Sequence, residues 1–409
     1  MVAGPGLIVM VADNDAGAIS TYTESGARFG TSLLWLMVLL LPVTYFIQEM
    51  VARLGIATGE GLASIIYERF GVWWGRFCLL DLLAVNFLTL VTEFAAVALV
   101  AKQLGYSPSV AVPMAAIGLI LLVGTGSYRR WERMTLLLCG LNLAWLWLAG
   151  VVRPDWGSAA FDSMVPTVPP GGLTGDLVFL VVAIVGTTIA PWQLFFQQSC
   201  VADKRLRFAD LKAARLDTAI GAVAISIFAA CMMLIGDAMF RGGLRYDDPA
   251  QMASALEPLI GRFGRLALLL LILNSAVLGA TAISLSSAWA WGEVMGWKNT
   301  LQARLTEAPG FYSAYAVCTA AAAGLTLIPG APLQEIILWV QVLAGIMLPA
   351  AVVLLQLLLN DREMLGARFV NRRWNNVVNW SVIALLFGLS FVLAVRALMP
   401  AGASSSLLY

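Results

Sequence analysis

Asp13-Asn14-Asp15-Ala16-Gly17 lies in the middle of the first apolar stretch of the chain, residues 4–26. A helix crosses the hydrocarbon core of a bilayer with about 20 apolar residues, and a helix is not expected to continue through two acids and a glycine there. Backbone left unpaired at membrane depth is tolerated only where it lines a protein cavity. The interruption therefore reads as a built site. It offers two carboxylates, the amide oxygen of Asn14 and released carbonyls, a set suited to a cation. An acid inside a membrane segment is by default a functional hypothesis. The bland alternative is that the acids only solubilise a water-filled mouth, and it weighs more for Asp13 than for Asp15.

Composition agrees with a lipid solvent. Of 409 residues, 60% are hydrophobic and 12% charged, against roughly 25% charged in soluble domains. A net charge of +1 gives no nucleic-acid footprint. The chain has no histidine, so no imidazole serves as ligand, proton relay or base. Its five cysteines, scattered without metal-ligand spacing, read as free buried thiols. No signal peptide is read, because the first apolar run lacks a charged leader and is followed by further spans.

Eleven apolar stretches are expected to cross the membrane, near 4–26, 31–57, 74–103, 107–126, 132–152, 175–199, 213–240, 263–293, 309–328, 332–359 and 376–399. The runs at 59–70 and 248–262 look amphipathic and interfacial. Connections are marked by Gly126-Ser127-Tyr128-Arg129-Arg130, Val168-Pro169-Pro170-Gly171-Gly172 and Ile328-Pro329-Gly330. With a cytoplasmic N-terminus, 17 of the 25 basic residues fall inside and 8 outside. Since basic residues favour the cytoplasmic side, the N-terminus is placed inside and the C-terminus outside, in the cell membrane.

The sixth span carries a second interruption, Gly186-Thr187-Thr188-Ile189-Ala190-Pro191-Trp192-Gln193. Pro191 has no N–H and crowds the carbonyl four residues earlier, near Thr187. Alone this is a proline kink. Paired with the first break it acquires meaning, since interruptions at corresponding positions of two halves point to a midplane site in transporters with inverted repeats. The expectation is an all-α membrane protein with two five-helix halves, 1–152 and 175–359, and one added helix at 376–399. Helices 1 and 6 are broken, in a LeuT-like arrangement.

At these stretches the chain resembles the NRAMP family of divalent-metal transporters. The family's first span carries Asp-Pro-Gly-Asn, where this chain has Asp15-Ala16-Gly17-Ala18, preceded by Gly4-Pro5-Gly6 and followed by Glu24-Ser25-Gly26-Ala27. Similar matches are Gln48-Glu49-Met50-Val51-Ala52-Arg53-Leu54-Gly55, Thr58-Gly59-Glu60-Gly61-Leu62, and Gln341-Val342-Leu343 with Leu348-Pro349 and Asp361-Arg362. The departures fall on the chemistry. The family's site Asn becomes Ala18, its Met-Pro-His becomes Ala190-Pro191-Trp192, its acidic pair in the third span becomes Glu93 and Ala96, and an aromatic residue becomes Asp13. Loss of a thioether removes a soft ligand. Mg²⁺ takes oxygen ligands, keeps several waters and is usually bound by one or two carboxylates. The resemblance is thus best to the NRAMP-related magnesium transporters, which implies transport of Mg²⁺ and also Mn²⁺.

The roles that follow are specific. Asp15 is expected as the principal ion ligand and Asp13 as a second carboxylate on the same aqueous cavity. Carbonyls near Ala16 and Thr187 would complete the shell, with Ala190 among the site residues. Gln341 is an oxygen donor or an interhelical hydrogen-bonding group, and Gln193 and Thr188 are weaker candidates. Ala18 and Trp192 are placed as cavity wall, although packing is the commoner role for a Trp in an apolar span. Glu93 is either a second acidic station or a paired buried acid. No bound cofactor is expected apart from the transported ion, and no partner besides the bilayer; a monomer suffices. With the family's histidine and second acid missing, uptake is expected to be uncoupled from protons, driven by a potential worth about 4.6 kcal/mol for a divalent ion per 100 mV. The alternatives are a proton-coupled Mn²⁺/Fe²⁺ importer, an organic-solute transporter of the same fold, and a channel. No hydrolase, metalloprotease, Walker or dinucleotide motif is present, so neither an enzyme nor an ATP-driven pump is expected.

Overall fold

In the computed structural model, residues 4–124, 126–169, 172 and 174–398 are described. Pro170 and Gly171 of the expected connection, and residue 399 of the last expected span, lie outside them. The described residues form helices and connecting turns, with no strand.

The first traverse is made of two pieces, α1 (Pro5–Ala12) and α2 (Ala16–Phe29). It is followed by α3 (Trp35–Thr58), the short α4 (Leu62–Phe70), α5 (Val72–Gln103) and α6 (Pro108–Val123). The fifth traverse is α7 (Tyr128–Leu141) continued by α8 (Ala144–Val151), after which α9 (Trp156–Met164) fills part of the next connection. The sixth traverse is again two pieces, α10 (Gly175–Thr188) and α11 (Pro191–Asp203). Then come α12 (Leu211–Arg241), the short α13 (Pro249–Ala255), α14 (Glu257–Met295), α15 (Pro309–Thr326), α16 (Leu333–Leu358), the short α17 (Arg362–Phe369) and α18 (Arg373–Leu398).

All eleven expected stretches are helical. Seven traverses are long and apolar enough by themselves to cross a membrane among the described residues. The run expected at 59–70 is α4, and that at 248–262 is α13 with the start of α14, which kinks at Gly261. The helices α9 and α17 were not expected; each opens on an aspartate N-cap, Asp155 and Asp361, that accepts from two backbone N–H groups, a favourable cap.

Close packing rests on glycine where the side-chain-free faces meet, as is usual between membrane helices. A methyl group on Gly26 would fall 2.0 Å from the carbonyl oxygen of Met233, and one on Gly236 would fall 2.1 Å from that of Thr23. So α2 and α12 lie backbone against backbone. Gly186 and Gly345 do the same for α10 and α16, with a Gly186 methyl 2.1 Å from the Gln341 carbonyl oxygen and 2.6 Å from the Gly345 nitrogen. The half-helices α2 and α10 are thereby held tightly against unbroken neighbours.

Candidate metal site at the two helix breaks

Helix α1 closes at Asp13, whose N–H reaches Val9 O at 3.1 Å, and the N–H of Asn14 turns to Val11 O at 3.2 Å. Asp15 then leaves helical geometry, with φ −73° and ψ −175°, and caps α2 by accepting from Ala18 N at 2.8 Å. The first turn of a helix has N–H groups without partners and a partial positive charge, and an aspartate there satisfies both.

A second carboxylate serves the same turn. Glu93 of α5 accepts from the N–H of Ala16 at 3.1 Å. Asp15 and Glu93 also share a neighbour on α14, because a methyl group on Gly279 would fall 2.7 Å from Asp15 Cβ and 2.9 Å from Glu93 Cδ. On the other side of the break, Gln193 of α11 donates to Asp13 Oδ1 and accepts at Oε1 from Gln48 of α3 at 2.7 Å. A chain of amides thus runs from α3 through α11 to Asp13.

The three acids are closed off from solvent: Asp13 is 1% exposed, Asp15 2% and Glu93 0%. Their bonded partners are amides and backbone N–H groups rather than Lys or Arg. Among the described residues, Asp13 Oδ2, Glu93 Oε1 and both amide atoms of Asn14 have no hydrogen-bond partner. Buried polar atoms are almost always satisfied, and an unpaired buried charge costs several kcal/mol. No three acidic or thiol side chains among the described residues close around one point. The arrangement can therefore give one or two carboxylates to a hard cation, with amides, carbonyls and water for the remaining positions.

The second break is made differently. Helix α10 ends at Thr188, Ile189 leaves helical geometry with φ −138° and ψ 81°, Ala190 is extended, and Pro191 opens α11 at its first position, where a missing N–H costs nothing. Pro191 has no N–H to give the Thr187 carbonyl, and the buried Thr187 hydroxyl has no partner among the described residues. The Thr188 hydroxyl donates to Ile184 O at 2.6 Å and pairs with the Tyr22 hydroxyl at 2.7 Å, which ties α10 to α2. Gln341 of α16 links the breaks. Its backbone packs on Gly186, and its side chain packs on Gly17, where an added methyl would fall 1.8 Å from Nε2. That Nε2 has no partner either.

Asp13, Asp15, Glu93, Gln193, Thr187 and Gln341 thus surround the two breaks. Two placements differ from expectation, those of Ala16 and Thr188, while Trp192 takes the commoner of its two roles. Ala16 is the first residue of α2 and presents an N–H, not a free carbonyl. Thr188 is spent on the link to Tyr22. Trp192 packs its ring 6.0 Å from Phe196, which in turn meets Trp131 and Trp289; this is the packing alternative. Instead of an open aqueous cavity, the region is sealed. Beyond α2's first turns Glu24 pairs with Arg28 at 2.6 Å and accepts from Gln334 at 2.9 Å. At the opposite end Asp217 accepts from the N–H groups of Gly4, Gly6 and Leu7. Sequence reading missed Gly279, Gln48 and Tyr22. Gln48 carried a signal, as an amide in an apolar span; the role of Gly279 is visible only once its neighbours are known.

Residues 6–396 match the family described as natural resistance-associated macrophage protein-like, or Nramp. The chain belongs to the Nramp family. A relative from Pseudomonas aeruginosa, the divalent metal cation transporter MntH 1, is 27% identical over 425 residues, covering 94% of this chain and 89% of the relative. The Eremococcus coleocola manganese transporter shares the fold with a TM-score of 0.76 at 21% identity, over 96% of this chain and 85% of that one. The nucleobase-cation-symport-1 transporter Mhp1, in a closed conformation, aligns with a TM-score of 0.56 at 14% identity, over 97% and 91%. The fold is therefore the LeuT-like fold of membrane transporters.

Proposed function

We propose that this Nramp protein carries divalent metal ions across the cell membrane, Mg²⁺ foremost and Mn²⁺ as well, as partly hydrated ions. The observation that carries the reading is the pair Asp15 and Glu93 on the first turn of α2, facing Gly279 and lacking any basic partner. Two carboxylates, amides and carbonyls form an all-oxygen set, and the small Ala18 and Ala190 supply neither an amide nor a thioether. Such a set suits Mg²⁺, which holds oxygen at about 2.0–2.1 Å and gives up water reluctantly. Family membership and the MntH relatives support divalent-metal transport; the donor set supports the magnesium branch of the family. Asp15 is the principal carboxylate ligand, with Glu93 beside it and Asp13 across the break as further carboxylates; the Thr187 carbonyl and Gln341 are oxygen donors, and Gln193 positions Asp13. The ion passes by alternating access between the halves 1–152 and 175–359, with the N-terminus cytoplasmic and the C-terminus outside. The chain has no histidine, and the position of the family's second third-span acid is Ala96, so the relay groups of the family are missing and uptake follows the ion gradient and membrane potential.

Purified protein in liposomes tests this. The expected result is saturable, potential-driven Mg²⁺ uptake without a change in lumenal pH, and competition by Mn²⁺. Absence of Mg²⁺ uptake alongside robust Mn²⁺ uptake would overturn the substrate assignment. One observation favours a second reading, proton-coupled transport of Mn²⁺ or Fe²⁺: Glu93 Oε1 is unpartnered beside Asp15, so Glu93 can take up a proton as an ion departs. Ion-dependent lumenal acidification that survives ionophore controls would establish it.

A further inference from the structure

A second concavity lies away from the helix breaks, at the end of the bundle proposed as cytoplasmic. It is a cavity of about 710 Å³ between α3, the start of α12 and the connection from α17 to α18. Its lining is chemically one-sided. Arg53, Lys212, Arg215, Arg368 and Arg372 face it, against a single acid, Glu49. That acid is already committed: Arg215 holds Glu49 Oε1 at 2.9 and 2.7 Å through Nε and Nη2, and Arg53 Nε lies 3.3 Å from Oε2. Arg53 is further fixed by Phe369 O at 2.6 Å and Asn371 Oδ1 at 2.7 Å. Lys212 and Arg372 form no ion pair among the described residues, and Arg368 lies over the Phe208 ring at 5.5 Å. Three cations are thus gathered with no carboxylate to balance them.

Much of the remaining lining is aromatic: Tyr45, Phe46, Phe208 and Trp374. Phe208 is 53% exposed and Trp374 51%, and Phe46 meets Trp374 edge-on at 5.7 Å. From this rim, exposed aliphatic residues run along α12 at helical spacing, Leu216, Ile220, Val223 and Ile227. On α18, which includes Trp374, Val377 and Trp380 are exposed as well. Cations at the head of an apolar track are what a phospholipid requires: Arg and Lys for phosphate oxygens, aromatic rings at headgroup level, and side-chain stripes for the acyl chains. Basic pockets between transmembrane helices on the cytoplasmic side are a recognised setting for anionic headgroups.

We propose that this pocket binds an anionic phospholipid of the inner leaflet, its phosphate held by Lys212, Arg368 and Arg372 and its acyl chains lying along α12 and α18. The occupant is a lipid rather than free phosphate because the cations open onto the exposed apolar stripes.

Native mass spectrometry of the full protein, released from detergent with equimolar phosphatidylglycerol and phosphatidylcholine, tests the proposal. The wild type should retain phosphatidylglycerol at least fivefold over phosphatidylcholine. The triple variant Lys212→Ala/Arg368→Ala/Arg372→Ala should lose that preference. Arg129→Ala/Arg130→Ala/Arg133→Ala, which removes the same charge from exposed positions on α7, should keep it, with thermal unfolding of all three proteins confirming a folded state. Equal retention of the two lipids by the wild type, or equal loss in both triple variants, would overturn the site. Displacement of the lipid by millimolar inorganic phosphate would overturn the lipid assignment, since the apolar track would then contribute nothing. If the first triple variant does not fold, Lys212→Gln and Arg372→Gln singly should each lower the preference at least twofold, and no change in either would equally reject it.

Discussion

The two helix breaks sit side by side and are built on opposite plans. The first is made of side chains. Asp15 caps α2 through its carboxylate, Glu93 reaches in from α5, and Gln193 braces Asp13. The second is made of backbone. Ile189 and Ala190 are non-helical, Pro191 withholds a donor, and no side chain caps α11. Charge is therefore concentrated on one break, while the other contributes dipoles that any residue would carry. Under the proposed function, the difference teaches where ion selectivity can be altered by substitution: the acidic break would set how strongly a cation is held, and the apolar break which cation fits.

Asp15→Ala is the severest way to break this comparison. It removes the proposed principal ligand and the α2 cap together. Mg²⁺ uptake at subsaturating ion should fall about 100-fold or more, equivalent to about 2.8 kcal/mol. Because the cap alone is worth about 1 kcal/mol, Asp15→Asn separates the two losses. It keeps a capping oxygen and should restore thermal stability but not transport. Uptake near wild-type level in either variant would remove the side-chain break from the function.

Gly279→Ala attacks the same break without touching a polar group. The added methyl would lie within 2.7 Å of Asp15 Cβ and 2.9 Å of Glu93 Cδ, so one carboxylate must move. Overpacking of this kind costs about 1–3 kcal/mol, and uptake should fall about tenfold. Glycine-to-alanine at Gly324 on α15, where nothing lies within 4 Å, is the control and should leave uptake unchanged.

Ala18→Asn with Ala190→Met touches both breaks at once. It adds an amide beside Asp15 and a thioether at the head of α11. A soft ligand favours transition metals, so the Mn²⁺ to Mg²⁺ preference in competition uptake should rise about tenfold. An unchanged ratio would mean that residues beyond the two breaks set selectivity.

Much of this was legible before any coordinates. The breaks announce themselves because Asp, Asn and Gly violate the rules of a lipid-crossing helix at one point, and Pro does so at the other. The eleven traverses follow from apolar length. What could not be read was mutual orientation. Glu93 is 77 residues from Ala16 in sequence, and nothing in its own span says whether it faces lipid, a partner or the first break. Gly279 is legible only as a small residue. Gln193 was weighed as an ion donor, yet its amide bridges Gln48 and Asp13. Thr188 was equally plausible as a ligand until Tyr22 was found to occupy it. Local chemistry marks where a helix must break. Which neighbours satisfy the break depends on helix rotation, and apolar spans in lipid carry little sequence record of that.

Pro191→Ala is the mildest test and the one that separates the plans most directly. Alanine at this position can give its N–H to the Thr187 carbonyl, as an ordinary helix would. If the second break were held by proline alone, α10 would continue into α11 and a donor oxygen would be lost. The neighbouring contacts oppose that outcome. Gly186 is packed against the backbone of Gln341 and Gly345, Thr188 is tied to Tyr22, and Ser286 donates to the Trp192 carbonyl at 3.0 Å. These contacts lie on both sides of Ile189 and Ala190, so the non-helical pair should persist without the proline. Uptake should fall only about twofold, with little change in the Mn²⁺ to Mg²⁺ ratio. A loss as large as that of Asp15→Ala would invert the comparison and make the Thr187 carbonyl the dominant ligand, with the acids serving to attract the ion rather than to hold it.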